Sequence, residues 1–310
     1  MGVTPDLSVQ IGSLRLANPF IAASGCFGYG LEYASTIDIS TLGGFVTKGL
    51  FLREREGHPP ERIVETPSGM LNAIGLQGIG VHRFISERLP AIRQTGATTI
   101  VNICGTSIDE YADVARALSQ VEGVAALELN ISCPNIKEGG IQFGCSLGGT
   151  FDVVSAVRKA THLPIIPKLT PNVTDPASFA KASEDAGADA VSLVNTFLAL
   201  VIDVETRRPA ISNGMGGLSG PAIRPIAVRM TYECARAVKI PVIGMGGIAS
   251  ARDAIEFLIA GATAVQVGTA NFVDPFIWSK LTGGLSEYLT RKKLSRVTDL
   301  IGTVDFSKGH

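Results

Sequence analysis

The sequence predicts an α/β fold: a single (β/α)8 TIM barrel, with long βα loops covering its C-terminal face, spanning residues 1–310 as one domain. Three observations point to it. Eight short apolar, β-rich runs recur with amphipathic stretches between them. The runs are continuously apolar rather than alternating, which marks strands buried on both faces of a parallel sheet. Three of the connections that leave strand ends are long, at residues 49–80, 134–150 and 197–222, and barrels place their binding loops on that face.

The predicted strands are Pro19–Ser24, Gly44–Lys48, Thr99–Ile103, Ala125–Asn130, Ile165–Leu169, Ala190–Asn195, Val242–Gly246 and Ala264–Gly268. The intervening segments carry helix punctuation. Asp109 to Gln120 starts with an acidic turn and has apolar residues at helical spacing. Pro176 to Ala186 stops at Gly187, a C′ glycine. Ser250 caps a helix over Ala251–Ala260 that ends at Gly261. Ala186-Gly-Ala-Asp189 and Ala260-Gly-Ala-Thr263 both join a helix to the next strand, a βα rhythm without a long repeat. An open dinucleotide-binding sheet needs Gly-x-Gly-x-x-Gly after an early strand, and Gly25-Cys-Phe-Gly-Tyr-Gly30 has the wrong spacing.

Composition narrows the function. Hydrophobic residues make up 45% of the 310, so the chain can bury a large core, and the formal net charge is −1. That balance argues against nucleic acid or an anionic membrane as partner. There is no basic-then-apolar leader and no apolar stretch near the ~20 residues of a membrane span. Cys26, Cys104, Cys133, Cys145 and Cys234 are scattered with no CxxC pair, so zinc and iron–sulfur sites within this chain are not expected. These features predict a cytoplasmic protein with free thiols. The residues after about 290, ending in Lys308-Gly309-His310, carry no motif and are expected to form a frayed tail.

The strand ends carry an unusual polar set. Lys48 ends the second strand, Asn102 lies near the end of the third, and Asn130 ends the fourth. Lys168 lies in the fifth, and Asn195 with Thr196 ends the sixth. Inside an apolar strand any one of these is costly unless paired. Each alone reads equally well as a satisfied core residue; together at one face they point to a site. Gly244-Met-Gly-Gly-Ile248 and Gly268-Thr-Ala270 follow strands seven and eight, where barrels often hold phosphate. Cys133 follows strand four at the barrel mouth, where a thiol of lowered pKa serves as base or nucleophile. Cys104 reads equally as packing, Cys26 and Cys145 lie in mouth loops, and Cys234 is expected in the core. His58, His82, His162 and His310 fall at no strand's C-terminal end, and no Gly-x-Ser-x-Gly elbow occurs, which speaks against a histidine triad.

Asn130-Ile-Ser-Cys-Pro-Asn135 followed by Gly139-Gly-Ile-Gln-Phe-Gly144 resembles the class 1 dihydroorotate dehydrogenases. So do Ala23-Ser-Gly-Cys-Phe-Gly28, Met70-Leu-Asn-Ala-Ile-Gly-Leu-Gln77, Gly216-Gly-Leu-Ser-Gly-Pro-Ala222 and Ile243-Gly-Met-Gly-Gly-Ile248. The resemblance runs from about residue 7 to 290, and the catalytic loop with the Met70–Gln77 stretch is similar to the subclass 1B catalytic subunit. It implies a bound FMN and oxidation of dihydroorotate to orotate in pyrimidine synthesis. Cys133 would take the C5 proton while a hydride passes from C6 to flavin N5; a thiol with an unperturbed pKa of about 8.5 suits that role.

The resemblance further implies that Lys48, Asn72, Asn130, Asn135, Asn195 and Thr196 grip the substrate, with Ala73, Ile74, Gly75 and Leu76 beside it. Ser24, Thr47, Lys48, Asn102, Asn130, Lys168, Val194, Gly220, Gly246, Gly247, Gly268 and Thr269 would hold the cofactor. Lys168 would face the pyrimidine end of the flavin, stabilising the anionic reduced ring. It also implies a homodimer and an electron-transfer subunit carrying FAD and a [2Fe–2S] cluster that reduces NAD. Thr47-Lys-Gly-Leu50 departs from the family's more usual Lys-Ala/Thr-Thr-Thr pattern, and Phe143-Gly-Cys-Ser146 places an extra cysteine in the catalytic loop, a second candidate for the base. Three alternatives are an FMN barrel that reduces another pyrimidine, a flavin-free phosphate-binding lyase or isomerase barrel, and a non-catalytic binding subunit.

Overall fold

A computed structural model of the chain describes residues 4–132 and 143–307. Eight parallel strands close into a barrel. They are β1 (Phe20–Ala22), β2 (Gly44–Val46), β3 (Thr99–Ile103), β4 (Ala126–Asn130), β5 (Ile165–Lys168), β6 (Val191–Leu193), β7 (Val242–Met245) and β8 (Ala264–Val267). Each falls within a strand predicted from the sequence. The strands follow one another in chain order around the barrel, and closure is made where Ser192 of β6 pairs with Lys168 of β5. Isoleucine, valine, leucine and phenylalanine from these strands are almost wholly buried, and they join the helices in one continuous core. That double burial is why the strands read as unbroken apolar runs.

The helices obey the punctuation. Ile108–Ser119 is capped by Ser107, whose hydroxyl accepts from Glu110 N at 3.1 Å. Pro176–Asp185 begins with proline at its first turn and is capped by Asp175, and Gly187 takes φ +96° just beyond its end. Ser250 caps Ala251–Ala260, and Gly261 ends that helix at φ +119°. Any side chain at Gly261 would be strained there.

Two expectations are corrected. The connection placed at 134–150 ends earlier: Phe143–Cys145 is a 3-10 turn, and Ser146 caps a helix over Leu147–Ala160. The residues after 290 are not frayed as far as Val304. Val297 donates to Asp6 O at 2.8 Å, Gly302 to Leu258 O at 3.0 Å and Val304 to Ile259 O at 3.2 Å. Val297 and Leu300 are buried in the main core, and that apolar burial ties the segment down.

The connections at 49–80 and 197–222 are not irregular loops. Strands Ile63–Thr66 and Gly69–Asn72 form a hairpin, and Met215–Ser219 pairs antiparallel with both Gly69–Asn72 and Phe197–Leu200. The result is one four-stranded sheet drawn from two insertions. Leu71, Ala73 and Ile211 form a small separate core on it. Strand pairing satisfies the backbone of two long insertions over the barrel mouth, where bare loops would leave polar groups exposed beside a cavity.

Candidate active site

A cavity of about 780 Å³ opens at the C-terminal ends of the barrel strands, beneath the four-stranded sheet. Its size lies within the ~300–1,000 Å³ typical of cofactor and substrate sites.

The barrel supplies most of the lining. Ser24 follows β1, Lys48 follows β2, Asn130 ends β4 and Lys168 ends β5. Val194, Asn195 and Thr196 follow β6, Gly246 and Gly247 follow β7, and Gly268 and Thr269 follow β8. The sheet and its flanks add Asn72, Ala73, Ile74, Gly75, Leu76 and Gly220. Residues as far apart as Ser24 and Thr269 thus face one space. Thr47 and Asn102 do not line it: both are fully buried behind the wall. Thr47 Oγ1 accepts from Asn102 N at 3.2 Å, and the Asn102 amide donates to Glu128 at 2.8 Å. Cys133 and Asn135 lie outside the described residues.

Hydrogen bonds fix the wall. Asn195 Nδ2 donates to Ser132 Oγ at 2.5 Å, and Ser132 Oγ donates to Asn130 Oδ1 at 3.1 Å. Ser132, the residue before Cys133, is thus tied to the end of β4 and to the segment that follows β6. Tyr111 OH holds the Asn130 carbonyl at 2.7 Å. From the sheet, Asn72 Nδ2 donates to Gly217 O at 3.2 Å. Thr269 Oγ1 reaches Ser219 Oγ at 2.7 Å, joining the end of β8 to the sheet. The departure at Thr47-Lys-Gly-Leu50 has a steric reason: a Cβ at Gly49 would stand 2.8 Å from Cys104 Sγ and 2.9 Å from Asn102 Oδ1.

Electrostatics separate the candidates. Burial, helped by repulsion from Arg62, pushes the Lys48 ammonium below the usual lysine range, while Glu32 pulls it back up. Burial raises Cys26 to about 11, with Lys168 working against the rise. Burial also raises Cys145, so neither thiol is poised as a base near neutrality. Cys234 is pushed to about 12 inside a helix, as its predicted core position requires.

Three residues that the sequence reading did not single out complete the site. Glu128 sits wholly buried under the cavity, and Gln266 and Ser219 line it. Glu128 and Gln266 were detectable by the rule that marked Lys168: a charged or amide side chain inside an apolar strand needs partners. Ser219, by contrast, gains its position only when the sheet forms.

The residues suit a phosphorylated, ring-bearing cofactor. Gly220, Gly246 and Gly247 line the cavity with φ of 97°, 123° and 78°. A Cβ at Gly247 would stand 2.8 Å from both Arg224 Cβ and the Gly220 carbonyl, so the backbone there is bare by necessity. Among the described residues, the buried oxygen Gln266 Oε1 has no hydrogen-bond partner, leaving an acceptor unmatched in the wall. Among the described residues, no three His, Cys, Asp or Glu side chains group to hold a metal ion, and no helix is long and apolar enough to cross a membrane.

A closed barrel with a lysine- and asparagine-bearing cavity under a sheet lid defines a TIM-barrel enzyme with its chemistry at the C-terminal face. The family model for dihydroorotate dehydrogenase matches residues 6–289. The chain is 52% identical to the dihydroorotate dehydrogenase B (NAD(+)) catalytic subunit of Trichlorobacter lovleyi, covering 97% of this chain and 99% of that one. It is 51% identical to the subunit of the same description from Geotalea uraniireducens, over 97% and 98%, and 50% identical to that of Citrifermentans bemidjiense, over 97% and 99%. The chain belongs to the dihydroorotate dehydrogenase family.

Proposed function

We propose that the chain oxidises dihydroorotate to orotate in pyrimidine synthesis, as the catalytic subunit of an NAD-linked enzyme. We further infer that residues 1–310 work as one FMN-binding barrel, and that FMN is the resident cofactor. The observation that carries the reading is the convergence of Lys48, Lys168, Asn72, Asn130 and Asn195 on one cavity. Amides offer donors and acceptors together, which matches a cyclic ureide, and the lysines match its carboxylate and an anionic reduced ring.

When bound, FMN supplies the acceptor for the hydride that leaves the substrate. The chain's own residues do the rest. Cys133 would take the proton from C5, and Ser132, the residue before it, is held by Asn130 and Asn195. Asn72, Asn130, Asn195 and Thr196 would orient the substrate from the cavity wall, Asn135 would add a further grip, and Lys48 would contact both substrate and cofactor. Ser24, Lys168, Val194, Gly220, Gly246, Gly247, Gly268 and Thr269 would hold the cofactor, the glycines offering bare backbone to its phosphate.

The relatives are named catalytic subunits, which supports a partner subunit for this chain. We place FAD and a [2Fe–2S] cluster on that partner, and the catalytic chains in a cytoplasmic homodimer.

The test is anaerobic mixing of the purified chain with dihydroorotate or dihydrouracil. Visible flavin absorption that bleaches with dihydroorotate alone supports the reading; a colourless protein, or bleaching by dihydrouracil instead, rejects it. Cys133→Ser keeps the flavin but slows bleaching at neutral pH by about 100-fold or more, because a hydroxyl is a far weaker base. Unchanged bleaching removes Cys133 from the reaction.

A further inference from the structure

Side chains from four other barrel strands converge on one buried carboxylate. Glu128 of β4 has no exposure. Its Oε1 accepts from Asn102 Nδ2 of β3 at 2.8 Å and stands 3.7 Å from Lys168 Nζ of β5. Its Oε2 accepts from Ser192 Oγ of β6 at 3.0 Å and from Gln266 Nε2 of β8 at 2.6 Å. Asn102, Ser192 and Gln266 donate hydrogen bonds and Lys168 adds an ion pair, so the carboxylate acts only as acceptor and counter-charge.

Glu128 does not line the cavity, but Lys168 and Gln266 do. Because the Gln266 amide nitrogen is committed to Glu128, its Oε1 is directed elsewhere. That oxygen is buried and unpartnered. A buried amide oxygen in a cavity wall is costly until a ligand supplies a donor.

We propose that Glu128 is a positioning residue that sets the reduction potential of the bound flavin through Lys168 and Gln266. The proposal rests on the flavin reading above. Glu128 fixes the Lys168 ammonium and offsets part of its charge. It also takes up the Gln266 amide nitrogen and so fixes the orientation of that side chain in the cavity wall. Reduction adds negative charge to the ring, so the field of Lys168 favours it and Glu128 moderates that preference.

The experiment measures the flavin reduction potential of the holoenzyme by dye equilibration in Glu128→Gln and Ser192→Ala. Glu128→Gln removes the counter-charge, so reduced flavin is favoured at least tenfold, an upward shift of about 30 mV for a two-electron couple. Ser192 does not line the cavity, and its side-chain hydroxyl meets the carboxylate. Without that hydroxyl the carboxylate holds Lys168 more tightly. Ser192→Ala therefore gives a smaller shift of opposite sign at unchanged flavin content. A merely structural role would alter stability and leave both potentials in place. A wild-type or raised potential in flavin-containing Ser192→Ala overturns the proposal, whether or not Glu128→Gln folds. A wild-type or lowered potential in folded Glu128→Gln overturns it equally. Wild-type protein without flavin instead overturns the proposed function, so the two failures are distinct.

Discussion

The floor of the cavity and the sheet over its mouth are built in opposite ways. The floor is a set of polar side chains on barrel strands, each buried and each answered by a neighbour across the barrel. The sheet comes from two insertions, holds a core of only Leu71, Ala73 and Ile211, and leaves Ile63, Leu198, Leu200 and Met215 exposed. A low-dielectric floor makes charges strong and immobile, which suits tuning a cofactor. A sheet with little buried area opens at low cost, which suits a surface that must admit and release substrate. Loss of the floor's cation should therefore show in stability and flavin retention, and damage to the sheet in substrate affinity.

The largest expected effect is at the floor. Lys168→Ala leaves the Glu128 charge buried without its cation and should cost about 3–5 kcal/mol of stability with loss of flavin. Urea unfolding and flavin content check this, and wild-type values for both would dissolve the distinction between the two regions. Gly217→Ala tests the seam: a Cβ there would overlap the Thr196 side chain. The strand must shift, at a cost of about 1–3 kcal/mol. Turnover should fall while the flavin stays bound, and loss of flavin would mean that sheet and floor are one unit.

Asn72→Ala removes the cavity-lining amide that the sheet contributes. KM for dihydroorotate should rise about tenfold, the equivalent of one hydrogen bond to a charged or polar partner. Unchanged KM in steady-state assays would take Asn72 out of substrate binding. The smallest effect is expected at Cys26, beside the floor. Burial holds its thiol up near 11, so alkylation should be negligible at neutral pH and rise about tenfold per pH unit below that value. Fast labelling at pH 7, read by mass spectrometry, would show that this wall opens to solvent.

Much of the barrel was readable because its signals are local. Apolar runs such as Thr99–Ile103, the cap at Ser250 and the stop at Gly261 depend on neighbours a few residues away. The strand-end polar residues were readable because burial makes a lone lysine or asparagine conspicuous. Asn102 shares that signature yet sits behind the wall, as does Thr47, which only the family resemblance had singled out, because sequence marks a residue as inward-pointing without giving its depth. The packed residues beyond 290 were missed for a related reason: Val297 and Leu300 form no periodic pattern, and their burial arises from contact with a core assembled elsewhere.

The sequence by itself determined the eight strands, their parallel barrel, and the family whose motifs lie on the strand ends. Only the tertiary structure decided that two insertions pair into one sheet, and that Glu128 is the shared partner of Asn102, Lys168, Ser192 and Gln266. The reason is separation along the chain. Ser192 lies 64 residues from Glu128 and Gln266 lies 138 residues away. Periodicity and capping act within a turn or two, whereas those bonds exist only after the barrel closes and brings β4, β6 and β8 around one axis.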